Sequence, residues 1–206
     1  MIEFKIKTKK HKTSKKTEAQ SIQCVDSWTE VTVKHWQELS NHHDSLDMIR
    51  VFSVFTGLDY DMLMNSPDGE LTNQISKSLN WFYEADENYL TDLDLPSHVI
   101  HNGIAIPIPT NLGAKTIGQK LILSKYLENK DLSYSDLIPV ALSVYLEPEY
   151  RRTKLELDTG KSHLEFTDEQ IRSVQFNWER GEPFIEECMG LKLVEAYPVA
   201  RFFLTS

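Results

Sequence analysis

The chain has no apolar stretch long enough to cross a bilayer. Its longest runs, "LIPVAL" and "IAIPIP", span six residues each, against the roughly 20 that a membrane helix needs. Cysteine is nearly absent. Cys24 and Cys188 are two residues far apart in sequence, which excludes a disulfide framework and predicts two reduced, partly buried thiols. The start, "MIEFKIKTKKHKTSKK", carries charge but no apolar h-region, so no signal peptide is expected and the compartment of synthesis is the cytoplasm. Catalytic signatures are missing as well: there is no G-x-S-x-G, no HExxH and no phosphate loop. "LGAKTIGQK" has glycines and lysines outside Walker spacing, and a helix cap explains it more economically.

What remains is a 206-residue chain with 40% hydrophobic and 26% charged residues, enough for one substantial core. Its net charge of −9 is unevenly spread. Residues 1–16 hold seven lysines (Lys5, Lys7, Lys9, Lys10, Lys12, Lys15, Lys16) and one acid, Glu3, leaving 15 basic against 30 acidic residues in the remainder. A basic arm on an acidic body fits docking on an acidic neighbour, a solvated end, or nucleic-acid binding. The last ranks lowest, because the arm has only Phe4 for stacking and no arginine for bidentate contacts, and the acidic body repels a duplex.

Periodicity supplies the elements. Ile2, Phe4 and Ile6 alternate with Glu3, Lys5 and Lys7 as a strand, followed by a polar linker, "TKKHKTSKKTEAQS". "VDSWTEVTV" reads as a second strand that ends where Thr32 caps a helix from Val33, with Val33, Trp36 and Leu39 on one face. A helix starting at Asp44 buries Leu46, Ile49, Phe52 and Phe55 and ends at Gly57. "LDYDMLM" is a short helical piece and "SPDG" a turn. Leu71, Ile75, Leu79 and Phe82 mark an amphipathic helix. Asn102-Gly103, between apolar residues, predicts a hairpin with a type I′ turn. Thr116 with Gln119, Ser133 with Asp136 and Thr167 with Gln170 open three further helices. The first of these presents Ile117, Leu121 and Ser124 on one face, the second stops at Pro148, and the third carries Ile171, Val174 and Trp178. "KLELDTGKSHLEF" is expected as a hairpin or a mobile excursion. Pro183 opens a last helix, and Pro198 kinks or breaks it.

Residues with chemical potential are few. His43 and Asp47 lie one helical turn apart, the spacing of two metal ligands, and a metal-dependent hydrolase using them is the catalytic alternative. The competing reading, which ranks higher, has Asp44 capping a helix beside solvated histidines. Cys188 sits among carboxylates that raise its pKa, while Cys24 lies near the linker lysines, a weak activating context. Trp28, Trp81, Tyr83, Tyr89, Tyr145 and Tyr150 are of the types that anchor interfaces, with core packing as the plainer role.

Three stretches carry a family resemblance. "WTEVTVKHWQEL … VFSVFTGLD", then "TIGQKLIL" followed by "DLIPVALSVYLEPEY", then "PVARFFLTS", cover roughly a third of the chain. The pattern resembles small virion-associated proteins of tailed phages that infect Bacteroidetes, the crAss-like group included. The resemblance implies a neck or tail ring subunit or a tail assembly chaperone, without catalytic residues, cofactor or metal. It does not extend to the basic arm or to "KLELDTGKSHLEF".

The resulting expectation is a mostly helical α+β protein with a small antiparallel hairpin, divided into an arm of residues 1–20 and one domain of residues 21–206. It is expected to act as a virion structural subunit assembled in the host cytoplasm. Its expected partners are copies of itself and other phage structural proteins, with no membrane and no nucleic acid. The residues expected at the interface are Phe4, Ile6, Lys9, Lys10, Trp28 and Tyr150. The arm's strand is expected to pair either with residues 27–33 or with a neighbour's sheet edge, and Trp36, Phe52, Leu79 and Val140 are expected in the core.

Overall fold

The computed structural model describes residues 2–9, 17–43, 46–65, 69–85, 88–109 and 116–205. It is mostly helical with two small antiparallel sheets, an α+β fold. The chain forms two compact units, one of Met1–Val31 with His35–Tyr89 and one of Thr32–Lys34 with Leu90–Ser206.

In the first unit, β1 (Ile2–Lys9) pairs antiparallel with β2 (Thr17–Cys24), in a backbone register that sets Phe4 against Ile22 and Ile6 against Gln20. This corrects two expectations. The stretch expected to be linker supplies β1 with its partner strand, and residue 20, the expected end of the arm, falls inside β2. The segment expected to be the strand at 27–33 is instead a 3-10 turn at Trp28–Glu30. Helix α1 (Val33–Asn41) does start at Val33.

Helix α2 (Met48–Thr56) begins later than expected. Asp47, not Asp44, is its N-cap: the carboxylate accepts the Arg50 N–H at 2.8 Å. Asp44 lies outside the described residues, as does most of "SPDG". Gly57 closes α2 in the left-handed conformation at φ 69°. Leu46 is exposed, while Phe52 and Phe55 are buried. Helix α3 (Tyr60–Met64) and helix α4 (Gly69–Tyr83) follow, and α4 packs against α2 through a face that buries Leu71, Ile75 and Leu79.

In the second unit, β3 (His98–His101) and β4 (Ile104–Pro107) form the expected hairpin. Asn102 at φ 49° and Gly103 at φ 76° give its turn two positive dihedrals. Helix α5 (Ile117–Leu127) has the expected capping box, yet Ile117 and Leu121 are 78% and 65% exposed and Leu123 is the buried residue.

Helix α6 (Tyr134–Thr159) is the centre of this unit and packs on α5, on β4, on α7 (Asp168–Val174), on α8 (Trp178–Met189) and on α9 (Leu193–Thr205). Every residue from Ile138 to Glu147 is buried, as a sequence apolar nearly all round requires.

Pro148 does not stop α6. A helical proline removes the N–H that would bond the carbonyl four residues back, here that of Val144. Gln119 supplies the replacement, donating its Nε2 to Val144 O at 3.0 Å from the first turn of α5. The helix therefore continues to Thr159 and ends on Gly160 at φ 66°, so "KLELDTGKSHLEF" is the end of α6 and a 3-10 turn at His163–Glu165, not a hairpin. Trp178 begins α8 rather than extending α7, with Asn177 as its cap and Pro183 in its interior. Helix α9 runs unbroken through Pro198. Its start is fixed by an antiparallel bridge of Thr32 with Lys192 and by Val33 N–H donating to Leu191 O at 3.0 Å.

Candidate functional site

Trp28 is the hub of an aromatic cluster in the first unit. Its ring stacks on Phe82 at 5.3 Å, meets Trp81 edge-on at 5.7 Å and lies 5.5 Å from Tyr89 and 6.3 Å from Trp36. Phe55 stacks on Trp81 at 5.6 Å. Offset and edge-to-face contacts of this kind add roughly 0.5–1.5 kcal/mol per pair beyond area burial. Trp28 and Trp36 are half-buried, so Trp36 is less enclosed than expected, while Phe52, Leu79 and Val140 are buried. The 3-10 turn is what brings Trp28 back over α4. Periodicity could not signal it, because alternation in "SWTEVTV" mimics a strand.

The pair considered for metal binding is separated in role. Asp47 spends one oxygen on the α2 cap and accepts the Tyr60 hydroxyl on the other at 2.7 Å, and the Arg50 guanidinium lies 3.5 Å above the Tyr60 ring. His43 is exposed on the preceding turn. Among the described residues no three of His, Cys, Asp and Glu gather to hold an ion.

The cysteines are free and buried. Burial, reinforced by the Asp26 carboxylate, pushes the Cys24 thiol up to about 12. Burial and the neighbouring Glu187 push Cys188 far above the ordinary thiol range.

In the second unit, Tyr150 is half-buried and packs 5.2 Å from the His101 ring and 5.5 Å from Phe184. His101, at the end of β3, is buried between these rings, and its Nε2 lies 2.7 Å from Glu187 Oε2 on α8. The two residues are 86 apart in sequence, so no local pattern could have paired them. They border an open groove of about 760 Å³ between the β3–β4 turn and the α8–α9 junction, with Ile100 and Leu191 as apolar lining and Glu187 and Glu195 as acids. Lys192 also lines the groove.

A buried acid, Glu147 on α6, lies between Arg180 at 3.5 Å and Arg151 at 3.7 Å. Burial raises its carboxyl pKa against the pull of both arginines. Arg151 donates to Ser173 O at 3.1 Å and Arg180 to Gln175 O, so the acid orients the two cations that hold the end of α7.

Of the six residues expected at an interface, two form aromatic packing within one unit, Trp28 in the first and Tyr150 in the second. Phe4, Ile6 and Lys9 lie on β1, and Lys10 is outside the described residues. Compared with known proteins, the chain matches no family model, no curated protein and no solved structure.

Proposed function

We propose that this chain is a non-catalytic structural subunit that assembles with copies of itself, and that its assembly belongs to the neck or tail of a tailed-phage particle. The observation that carries the self-association is the basic β1–β2 hairpin. Each strand has eight residues, and the sheet has only these two strands, so both outer edges lack a strand partner among the described residues. A strand edge without a partner can take up a further strand. Lys5, Lys7 and Lys9 make β1 basic on a chain whose remaining residues are strongly acidic. Opposite charges on one subunit favour head-to-tail contacts, which close into rings when the rotation permits. The assignment to a phage particle rests on the sequence resemblance.

Light scattering and native mass spectrometry of the full chain test self-association. The native protein is expected to form a discrete oligomer, and the Lys5→Glu/Lys7→Glu/Lys9→Glu variant a folded monomer; an unchanged oligomer in the variant overturns the reading. Mass spectrometry of purified particles tests the second half. Presence in the particle fits a ring subunit, and absence from mature particles points to the assembly chaperone instead.

A further inference from the structure

Among the described residues the β3–β4 sheet also has only two strands. Strand β4 packs on α6, and the outer edge of β3 has no strand partner among the described residues. On β3, Ile100 is 48% exposed, an apolar side chain at the rim of the groove that Leu191, Glu187 and Glu195 also line. Glu187 reaches this groove from α8 and is exposed, and Glu195 reaches it from α9. An unpaired strand edge, an exposed isoleucine and two carboxylates thus occupy one region of the second unit.

We propose that the outer edge of β3 and the groove beside it receive the basic β1–β2 hairpin of a second copy of this chain. The inference rests on the reading of that hairpin as an assembly arm and names the surface that takes it. The occupant is chosen by charge and shape. A strand laid against β3 gains main-chain hydrogen bonds over its four residues. Lys5, Lys7 and Lys9 of β1 are opposite in charge to Glu187 and Glu195 of the groove. In the groove lining these two acids outnumber Lys192.

Two experiments test the proposal. In the first, equal amounts of ordinary and isotope-labelled full-length protein are mixed and treated with a zero-length carbodiimide. Links between lysines of β1 and Glu187 or Glu195 that join one labelled to one unlabelled peptide are the expected result. Links found only within one copy, or only to other acids, overturn it. In the second, Ile100→Lys/Glu187→Lys/Glu195→Lys is compared with the native chain and with the lysine-to-glutamate variant of β1. The acid-to-lysine variant is expected to need at least tenfold more protein to assemble, and mixing it with the β1 charge-reversed variant is expected to restore assembly. If the β1 variant is monomeric while the acid-to-lysine variant assembles normally, the arm docks elsewhere and only this inference fails. If neither variant alters assembly, the reading of the hairpin as an arm fails with it. The cross-linking uses unaltered protein, so a variant that misfolds leaves the proposal open to refutation.

Discussion

The hairpin β3–β4 turns through Asn102 and Gly103, two residues with positive φ between strands of four. The hairpin β1–β2 joins strands of eight, Lys9 paired with Thr17, and residues 10–16 lie between them. In the first, the turn fixes the register, since a two-residue turn with both φ positive accepts few sequences and matches the twist of the strands. In the second, register follows the apolar side: Ile2 lies opposite Cys24 and Phe4 opposite Ile22, and the two partners on β2 are buried. A hairpin set by its turn is local and legible. One set by burial needs the rest of its unit, and β2 does contact α2. The contrast also divides labour in the proposed assembly, with the long charged hairpin reaching out and the short anchored one receiving.

The difference can be broken at several points. Ile106 is fully buried on β4, and Ile106→Ala is expected to cost about 2–5 kcal/mol by denaturant unfolding. A cost below about 1 kcal/mol would mean that β4 is not anchored on α6. Deleting residues 1–16 removes β1 and uncovers Ile22, with an expected loss of about 1.5–3 kcal/mol. It should also make Cys24 reactive toward iodoacetamide in the native state. Unchanged stability and a protected Cys24 would show that β1 adds nothing to its unit. Gly103→Ala places a side chain at φ 76° and should cost about 1–2 kcal/mol, with no effect on Cys24 labelling.

The smallest effect is in the pH dependence. The native Cys24 thiol titrates at about 12, above the ordinary value of 9.0. The stability it contributes is therefore complete below pH 9 and is lost as pH rises toward 12, because the unfolded chain releases its proton first. At pH 10 the loss is about 1 kcal/mol, and Cys24→Ala should flatten that part of the profile. An equal slope in both proteins would mean that the thiol is not enclosed by its hairpin.

Helix starts were legible wherever one side chain and one backbone N–H three residues on settle the matter. Thr116 with Gln119, Ser133 with Asp136 and Thr167 with Gln170 all form the expected boxes. Helix ends were less so. Pro148 carries a local stop signal, and the answer to it comes from Gln119 on another helix. Ile117 and Leu121 show the same limit from the other side: their spacing makes an apolar face, but spacing does not say whether anything covers it.

The sequence alone determined the caps, the Asn102-Gly103 turn, the apolar girth of α6 and the segregation of charge, because each depends on neighbours within a few residues or on composition. Tertiary structure decided that β1 pairs with β2, that α6 passes through Pro148, that Trp28 turns back onto α4, and that His101 meets Glu187. Each of these depends on a partner brought near by the packing of other elements, and that proximity leaves no trace in local periodicity.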